Sequence, residues 1–243
     1  MRNEYLLEMI DIHKSFGGLH ALEGVNLELK YSEILGLVGD NAAGKSTLMK
    51  ILTGIYHSDK GKIFFEGREV NINSPLVSRK LGIEMVYQDF KICPNLDVPS
   101  NLFLGKEIGG NLFRPLRNRQ MEKEALEILR KLKIDIKNPK EKACYLSGGQ
   151  QQSLVIGKAV SFNPKVVIMD EPTASLAVKE IEKVLELILL LKEHDISIIL
   201  ISHRLDDVLK VSDKIFVLKH GRRVAVKEKT QTDKEEIVRL MFA

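Results

Sequence analysis

The sequence contains no tryptophan and only two cysteines, Cys93 and Cys144, in 243 residues. Two widely separated thiols lack the spacing of a zinc site and are too few for a disulfide scaffold, which indicates a reducing compartment. Long apolar runs are also missing. The most apolar windows, residues 184–191 and 196–201, are far shorter than the roughly 20 residues that a membrane-spanning helix needs.

Charge of one sign is not concentrated anywhere in the chain. The 37 basic and 33 acidic residues give a net charge of +4, and no run of five like charges suggests a nucleic-acid-binding arm. The apolar stretch at residues 1–11 is interrupted by Glu4, Glu8 and Asp11, unlike a signal peptide. We therefore expect a soluble, cytoplasmic protein that binds no nucleic acid and reaches a membrane only through a partner.

Strand patterns occur at both ends of the chain. Loose apolar–polar alternation, typical of half-buried antiparallel strands, occurs at residues 6–13 and 25–29, and further strands are predicted at residues 62–65 and 70–72, around the turn at Glu66–Gly67. Apolar runs predict buried strands at residues 34–38, 166–169 and 196–201, and another strand is predicted at residues 83–87. In the part of the chain that follows residue 165, the pattern also predicts helices at residues 178–191, 205–211 and 233–241 and strands at residues 214–218 and 223–227. Continuous apolar strands that alternate with helices predict an α/β fold with a parallel sheet covered on both faces.

The middle of the chain has a different character. Residues 90–140 contain four prolines and no long apolar strand, and helical patterns lie around residues 100–105 and 120–132. We interpret residues 90–161 as a helical subdomain inserted into one domain that spans residues 1–243, whose core comprises residues 1–89 and 162–243.

A glycine-rich loop follows the first buried strand. Residues 39–46 read GDNAAGKS and fit the phosphate-loop pattern, in which backbone amides and a helix N-terminus converge on one anion. Lys45 is expected to neutralise the β- and γ-phosphate oxygens, and the Ser46 hydroxyl to ligate Mg²⁺. This loop alone predicts a nucleoside triphosphate as ligand, because kinases, GTPases, helicases and transport ATPases all share it.

Two acidic residues, Asp170 and Glu171, follow the buried strand at residues 166–169. An aspartate at the carboxyl end of a parallel strand beside the phosphate loop lies where Mg²⁺ must be held. Asp170 is therefore the candidate metal-side carboxylate, acting through water. By strand alternation Glu171 should point the other way, where it could accept a proton from the water that attacks the γ-phosphate.

Residues 146–150 read LSGGQ, and this segment resembles the signature motif of ABC ATPases. Gln88 at the end of a strand, Pro172 after Glu171 and His203 after a buried strand agree with that resemblance, which extends from Phe16 to the glycine turn at residue 221. It implies a P-loop NTPase core with a mixed sheet, an N-terminal antiparallel β subdomain and an inserted α-helical subdomain.

The resemblance also implies a head-to-tail homodimer in the ATP state. Each ATP would then lie between the phosphate loop of one subunit and the signature of the other. The signature contacts from the partner would be made by Ser147, Gly148, Gly149 and Gln150. A serine hydroxyl, bare backbone amides and a helix N-terminus suit a second phosphate site.

The remaining roles are carried over from the family position by position. Phe16 resembles the aromatic residue that stacks on adenine, although the same residue could be a core aromatic. The expected nucleotide contacts are made by Phe16, Gly39, Asp40, Asn41, Ala42, Ala43, Gly44, Lys45, Ser46 and Thr47. The expected magnesium ligands are Ser46, Gln88 and, through water, Asp170. The expected catalytic residues are Glu171, His203, Gln88 and Lys45.

Three positions depart from the family pattern. Ala42 stands where most relatives carry glycine, Ala177 where many carry aspartate, and Ser153 where many carry arginine. None of these departures removes a phosphate or metal ligand, so hydrolysis is still expected.

Residues 85–89, 96–107, 168–176 and 201–205 resemble the ATPases of bacterial importers for ribose, xylose, galactose or fructose. The resemblance therefore implies two permease subunits, an extracytoplasmic sugar-binding protein as an indirect partner, and a location on the cytoplasmic face of the membrane. An apolar permease-docking patch could be formed by Leu96, Val98, Leu102, Phe103 and Leu104, if these residues are exposed. Alternatives are an importer of another substrate such as amino acids, a soluble non-transport ATPase, and a regulatory module that binds ATP without turnover.

Overall fold

The computed structural model describes residues 4–87, 92–109 and 116–242. Its main sheet has six strands in the order β10-β9-β3-β8-β7-β6. These strands are β3 (Ile34–Val38), β6 (Ile83–Val86), β7 (Val166–Asp170), β8 (Ser197–Ile201), β9 (Lys214–Lys219) and β10 (Arg222–Glu228). Strands β3, β6, β7, β8 and β9 run parallel to one another, whereas β10 pairs antiparallel with β9.

The centre of this sheet is covered on both faces. Every residue of β3 and β8 is buried, because successive apolar side chains enter opposite cores. Ile198 and Leu200 pack in a cluster with helices α6 (Val178–Glu193), α7 (Leu205–Val211) and α8 (Lys234–Phe242). Ile199 and Ile201 pack on the other face with helix α1 (Lys45–Leu52).

A second, four-stranded antiparallel sheet has the order β2-β1-β4-β5. Its strands are β1 (Tyr5–Phe16), β2 (Leu19–Lys30), β4 (Lys60–Phe65) and β5 (Arg68–Val70). Alternate residues of β1 and β2, such as Met9 and Leu27, join the same hydrophobic cluster as α1. The two sheets therefore share one core around the helix that follows the glycine-rich loop.

Helices α3 (Val98–Leu102), α4 (Asn118–Lys131) and α5 (Gly148–Val160) lie between β6 and β7 in the chain and have a core of their own. Val98, Leu102 and Phe103 are buried in that core. The predicted apolar docking patch is therefore wrong for these three residues, because they pack against α4 and α5. Leu96 and Leu104 are only partly buried.

Helix α2 (Pro75–Leu81) is an element that the sequence pattern did not predict. Its signals are local: Ser74 caps the N-terminus by accepting a hydrogen bond from the Val77 amide, Pro75 opens the helix, and Gly82 ends it in the left-handed conformation at φ 88°.

The predicted mixed sheet, antiparallel β sheet and helical insert are confirmed. Among the described residues, no helix combines the length and hydropathy that crossing a bilayer requires.

Gly36 in β3 allows α7 to approach the sheet closely. A Cβ atom on Gly36 would lie 2.3 Å from Val208 Cγ1 and 2.8 Å from Ser212 Oγ. We expect Gly36→Ala to lower the free energy of unfolding by about 1–3 kcal/mol through overpacking, measured by urea denaturation. Gly18→Ala is the matched control, because a Cβ there meets nothing within 4 Å. Equal stability of the two variants would contradict the expected overpacking.

Candidate functional site

The carboxyl ends of β3, β7 and β8 meet at one edge of the main sheet, and a cavity of about 420 Å³ opens there. Ligands of open parallel sheets bind at this kind of edge. The predicted residues that line the cavity are Phe16, Asn41, Ala42, Ala43, Gly44, Lys45, Ser46, Thr47, Asp170, Glu171 and His203. The fold thus brings together segments that are up to about 190 positions apart in the chain.

Close backbone approach shapes the glycine-rich loop after β3. A Cβ on Gly39 would lie 2.1 Å from the Leu218 carbonyl oxygen, so only glycine fits there. Gly44 has φ 103° and caps the N-terminus of α1, and a Cβ on it would lie 2.7 Å from the Ala21 carbonyl oxygen. Ala42 also adopts the left-handed region, at φ 64°, where a Cβ is disfavoured but tolerated.

Lys45 is buried at the first position of α1. Its ammonium group donates to the Gly39 carbonyl at 2.7 Å and to the Asp40 carbonyl at 3.0 Å. Burial lowers the pKa of Lys45, although Glu171 and Asp170 oppose that shift. The side chain therefore lies folded back over the loop, with its charge inside the cavity that a phosphate would enter.

Asp170 ends β7, and Glu171 is the first residue after it. The prediction that the two carboxylates point in opposite directions is wrong, because both line the same cavity. Strand alternation ends at Asp170, since Glu171 adopts the left-handed conformation at φ 52°. A non-glycine residue held there is strained, and such strain is concentrated at functional sites.

His203 lies directly beside Glu171. The backbone N–H of His203 donates to Glu171 Oε1 at 2.8 Å, and the ring Nε2 lies 3.4 Å from the same oxygen. Burial raises the pKa of Glu171, and the His203 ring and amide only partly offset this. Burial likewise raises the pKa of Asp170, against the nearby Lys45 charge. A raised pKa makes Glu171 a stronger base when it is ionised.

Phe16 closes the other end of the cavity. The residue is 40% exposed, so the alternative of a core aromatic is wrong. Tyr56 supports the ring edge-on at 5.1 Å between centroids. Leu19 and His20 line the cavity beside Phe16, and sequence reasoning had not identified either residue. Their only signal is their position at the start of β2, directly after the two-residue turn that follows Phe16.

Ser46 and Asp170 line the same cavity. Hydroxyl and carboxylate oxygens are the hard donors that Mg²⁺ prefers, and Mg²⁺ usually takes only one or two protein ligands beside phosphate and water. The donor set therefore fits that ion. Among the described residues, no cluster of three or more His, Cys, Asp or Glu could hold a metal by itself. Gln88, the third expected ligand, lies outside the described residues.

The predicted signature lies elsewhere on the molecule. Ser147 caps α5 by accepting from the Gln150 amide, and the Gln150 side chain accepts from the Ser147 amide at 3.0 Å. Ser147, Gly149 and Gln150 line a separate cavity of about 510 Å³ between the helical insert and α6. Within one chain the structure therefore does not bring the signature to the phosphate loop.

The three departures from the family pattern are accommodated differently. Ser153 is buried in α5 and its hydroxyl donates to the Gly149 carbonyl at 2.8 Å. Ala177 is the N-cap of α6 and has no side-chain cap, and its amide donates instead to Glu180 Oε2 at 3.3 Å. Ala42 provides the left-handed turn of the phosphate loop.

A buried polar network that the sequence did not reveal fixes the segment after Glu171. The Thr173 hydroxyl donates to Asp207 Oδ2 at 2.7 Å, and Arg204 Nε donates to the same oxygen at 3.0 Å. Thr173 and Asp207 are both buried. This network ties the loop between β7 and α6 to the helix that follows His203.

Comparison with known proteins agrees with this geometry. The family described as ABC transporter matches residues 22–174. A xylose/arabinose import ATP-binding protein of Sulfolobus acidocaldarius is 43% identical over 236 residues, covering 97% of this chain and 93% of that protein. The ribose import ATP-binding protein of Bacillus subtilis is 41% identical over 97% of this chain. The chain spans about half the length of that relative, 47%.

Solved structures give the same result. A nucleotide-free ATP-binding cassette from an ABC transporter superposes with a TM-score of 0.85 at 29% identity, covering 98% of this chain and 99% of that one. A dimeric post-hydrolysis cassette bound to ADP and Pi matches with a TM-score of 0.76 at 26% identity, covering 92% and 98% of the two chains. The predicted fold class is confirmed, and the chain belongs to the ABC transporter family of ATP-binding proteins.

Proposed function

We propose that this chain is the ATP-hydrolysing motor of an ABC importer for a monosaccharide. The assignment of ATP hydrolysis is supported by the position of the Glu171 carboxylate, which lies in the phosphate-loop cavity and within hydrogen-bond distance of the His203 amide. Only a reaction at the terminal phosphate needs a base at this place, so the arrangement argues against a module that binds ATP without turnover.

The residues of the phosphate-loop cavity have different roles in hydrolysis. The loop amides and Lys45 bind the phosphates, and Phe16 packs on the adenine ring. The ionised Glu171 carboxylate orients the attacking water and accepts its proton, while His203 holds Glu171 and faces the terminal phosphate. Ser46 and, through water, Asp170 would hold Mg²⁺, which would neutralise charge on the phosphate oxygens. Gln88 is assigned to that ion and to the attacking water.

The second half of the site comes from another copy of the chain. Ser147, Gly148, Gly149 and Gln150 are assigned to the nucleotide of the partner subunit, since in one chain they line a different cavity from Lys45. The dimeric cassette of the same fold supports this pairing. A two-fold arrangement makes both composite sites close together.

The transport assignment rests on the relatives. Import of xylose, arabinose or ribose is stated for proteins 41–43% identical over nearly the whole chain, which supports a monosaccharide as cargo. We assign residues 90–161 as the helical subdomain and the rest of residues 1–243 as the core. Two permease subunits would hold the homodimer at the cytoplasmic face of the membrane, with a sugar-binding protein acting on the other side.

Growth and uptake measurements test the transport assignment. Cells that lack this subunit should lose uptake of one labelled pentose or hexose, and the wild-type gene should restore it. Co-purification of two membrane subunits with the tagged chain should accompany that rescue. Unchanged uptake of every monosaccharide tested would contradict the sugar-import assignment and leave the ATPase assignment standing.

Ser147→Arg tests the composite site. The larger, charged side chain should fill the space that the partner's phosphate needs, so ATP-driven dimerisation of a Glu171→Gln background should be lost while ATP binding to the monomer is retained. Sedimentation velocity and equilibrium nucleotide binding measure the two properties. Asn118→Arg adds the same charge at the exposed start of α4 and serves as the control. Normal dimerisation of Ser147→Arg would refute the composite site.

A further inference from the structure

The first turn of α5 is joined to the first turn of α6 by one carboxylate. The Gly149 N–H donates to Glu180 Oε1 at 3.0 Å, and the Ala177 N–H donates to Glu180 Oε2 at 3.3 Å. A Cβ on Gly149 would lie 2.8 Å from Glu180 Cβ, so the glycine is what allows this approach. Glu180 thus binds to the N-terminus of α5 from a different helix.

The bound carboxylate is anionic. The pKa of Glu180 is lowered by the hydrogen bond from the Gly149 amide first, then by those from the Ser147 hydroxyl and the Ala177 amide. The N-terminus of α5 adds a favourable field for negative charge. The anion-binding groups of the signature therefore already hold an anion, and it is supplied by the same chain.

This contact conflicts with the proposed function, on which the following inference rests. One amide N–H makes one strong hydrogen bond, and the Gly149 amide is assigned to a phosphate of the partner's nucleotide. A carboxylate left beside that phosphate would also repel it. We propose that Glu180 is an internal occupant of the signature, which must leave Gly149 before the partner's ATP can bind there and which therefore opposes ATP-driven dimerisation.

The structure provides a place for the displaced side chain. Glu180 is only partly buried, and it lines the cavity of about 510 Å³ together with Lys179 and Lys183. Lys183 already attracts the carboxylate. We expect the displaced Glu180 side chain to turn into this cavity, towards these lysines.

The test measures dimerisation of Glu180→Ala and Glu180→Gln in the Glu171→Gln background. With Mg²⁺ and saturating ATP, the protein concentration at half-dimerisation should fall roughly tenfold or more for Glu180→Ala, because a charge-assisted hydrogen bond no longer has to be broken in each subunit. Glu180→Gln keeps an acceptor without the charge and should give a smaller fall. Sedimentation velocity supplies the dimer fraction, and Tm confirms that each variant folds.

Glu186→Ala is the matched control, because Glu186 is exposed on the same helix and lines the same cavity. It should leave the half-dimerisation concentration unchanged, and an equal fall would show a general charge effect and overturn the inference. If Glu180 were only a cap for α6, Glu180→Ala would weaken dimerisation or leave it unchanged, and either result also overturns the inference. If Glu171→Gln itself remains monomeric in ATP with the membrane subunits supplied, the composite site fails and the inference fails with it.

Discussion

Replacing Glu171 with glutamine is expected to reduce ATP turnover by about 10²–10⁴-fold, the range that general-base catalysis contributes. Glutamine has nearly the same shape as glutamate. Its side-chain oxygen can still accept the hydrogen bond from the His203 amide, which Glu171 Oε1 accepts at 2.8 Å in the wild-type protein. It cannot accept the proton of the attacking water. The loss should therefore fall on kcat, measured as phosphate release at saturating ATP.

The same variant should bind ATP with wild-type affinity, because Lys45 and the loop amides are unchanged. Two ATP molecules that cannot be hydrolysed should then hold the dimer together, so a stable ATP-dependent dimer is expected by size-exclusion chromatography. Glu182→Gln, an exposed change on α6, is the control for charge. Wild-type turnover of Glu171→Gln would remove Glu171 from its role as base.

Lys45→Ala is expected to weaken ATP binding by roughly 10–100-fold, since hydrogen bonds to charged groups contribute about 1.5–3 kcal/mol. The ammonium group is the buried cation of the cavity, and its present partners are the carbonyls of Gly39 and Asp40. Equilibrium binding of a fluorescent ATP analogue with Mg²⁺ measures the effect. Turnover should also be lost, because the same charge stabilises the terminal phosphate in the transition state.

Lys50→Ala is the matched control for that experiment. Lys50 lies on the same helix, and its ammonium group is 5.4 Å from the Tyr56 ring centroid. It does not line the phosphate-loop cavity, so ATP affinity should change little. Unchanged affinity and rate in Lys45→Ala would refute the assignment of Lys45 to the phosphates.

Local sequence signals were enough to predict the main sheet and the phosphate loop. The buried runs of β3, β7 and β8 are short and almost entirely apolar, which is typical of parallel strands buried on both faces. The glycines of the loop mark close backbone approach, which the structure shows at Gly39 and Gly44. These features depend on residues that are near one another in the chain.

The directions of individual side chains could not be predicted in the same way. Alternation along β7 placed Glu171 opposite Asp170, but a single left-handed residue at φ 52° turns the chain there. The burial of Val98, Leu102 and Phe103 depends on α4 and α5, which follow later in the sequence. The contact between Glu180 and Gly149 joins positions 31 residues apart and leaves no periodic signal. The local backbone conformation decides the first case, and tertiary packing decides the other two.

Ala42 gives the loop a property that glycine would not have. An L-residue in the left-handed region costs about 1–2 kcal/mol, but alanine has fewer accessible backbone conformations than glycine. The turn at Ala42, held at φ 64°, is accordingly stiffer than a glycine turn. The segment therefore loses less conformational entropy when it binds an anion, because the loop is already ordered in the free protein.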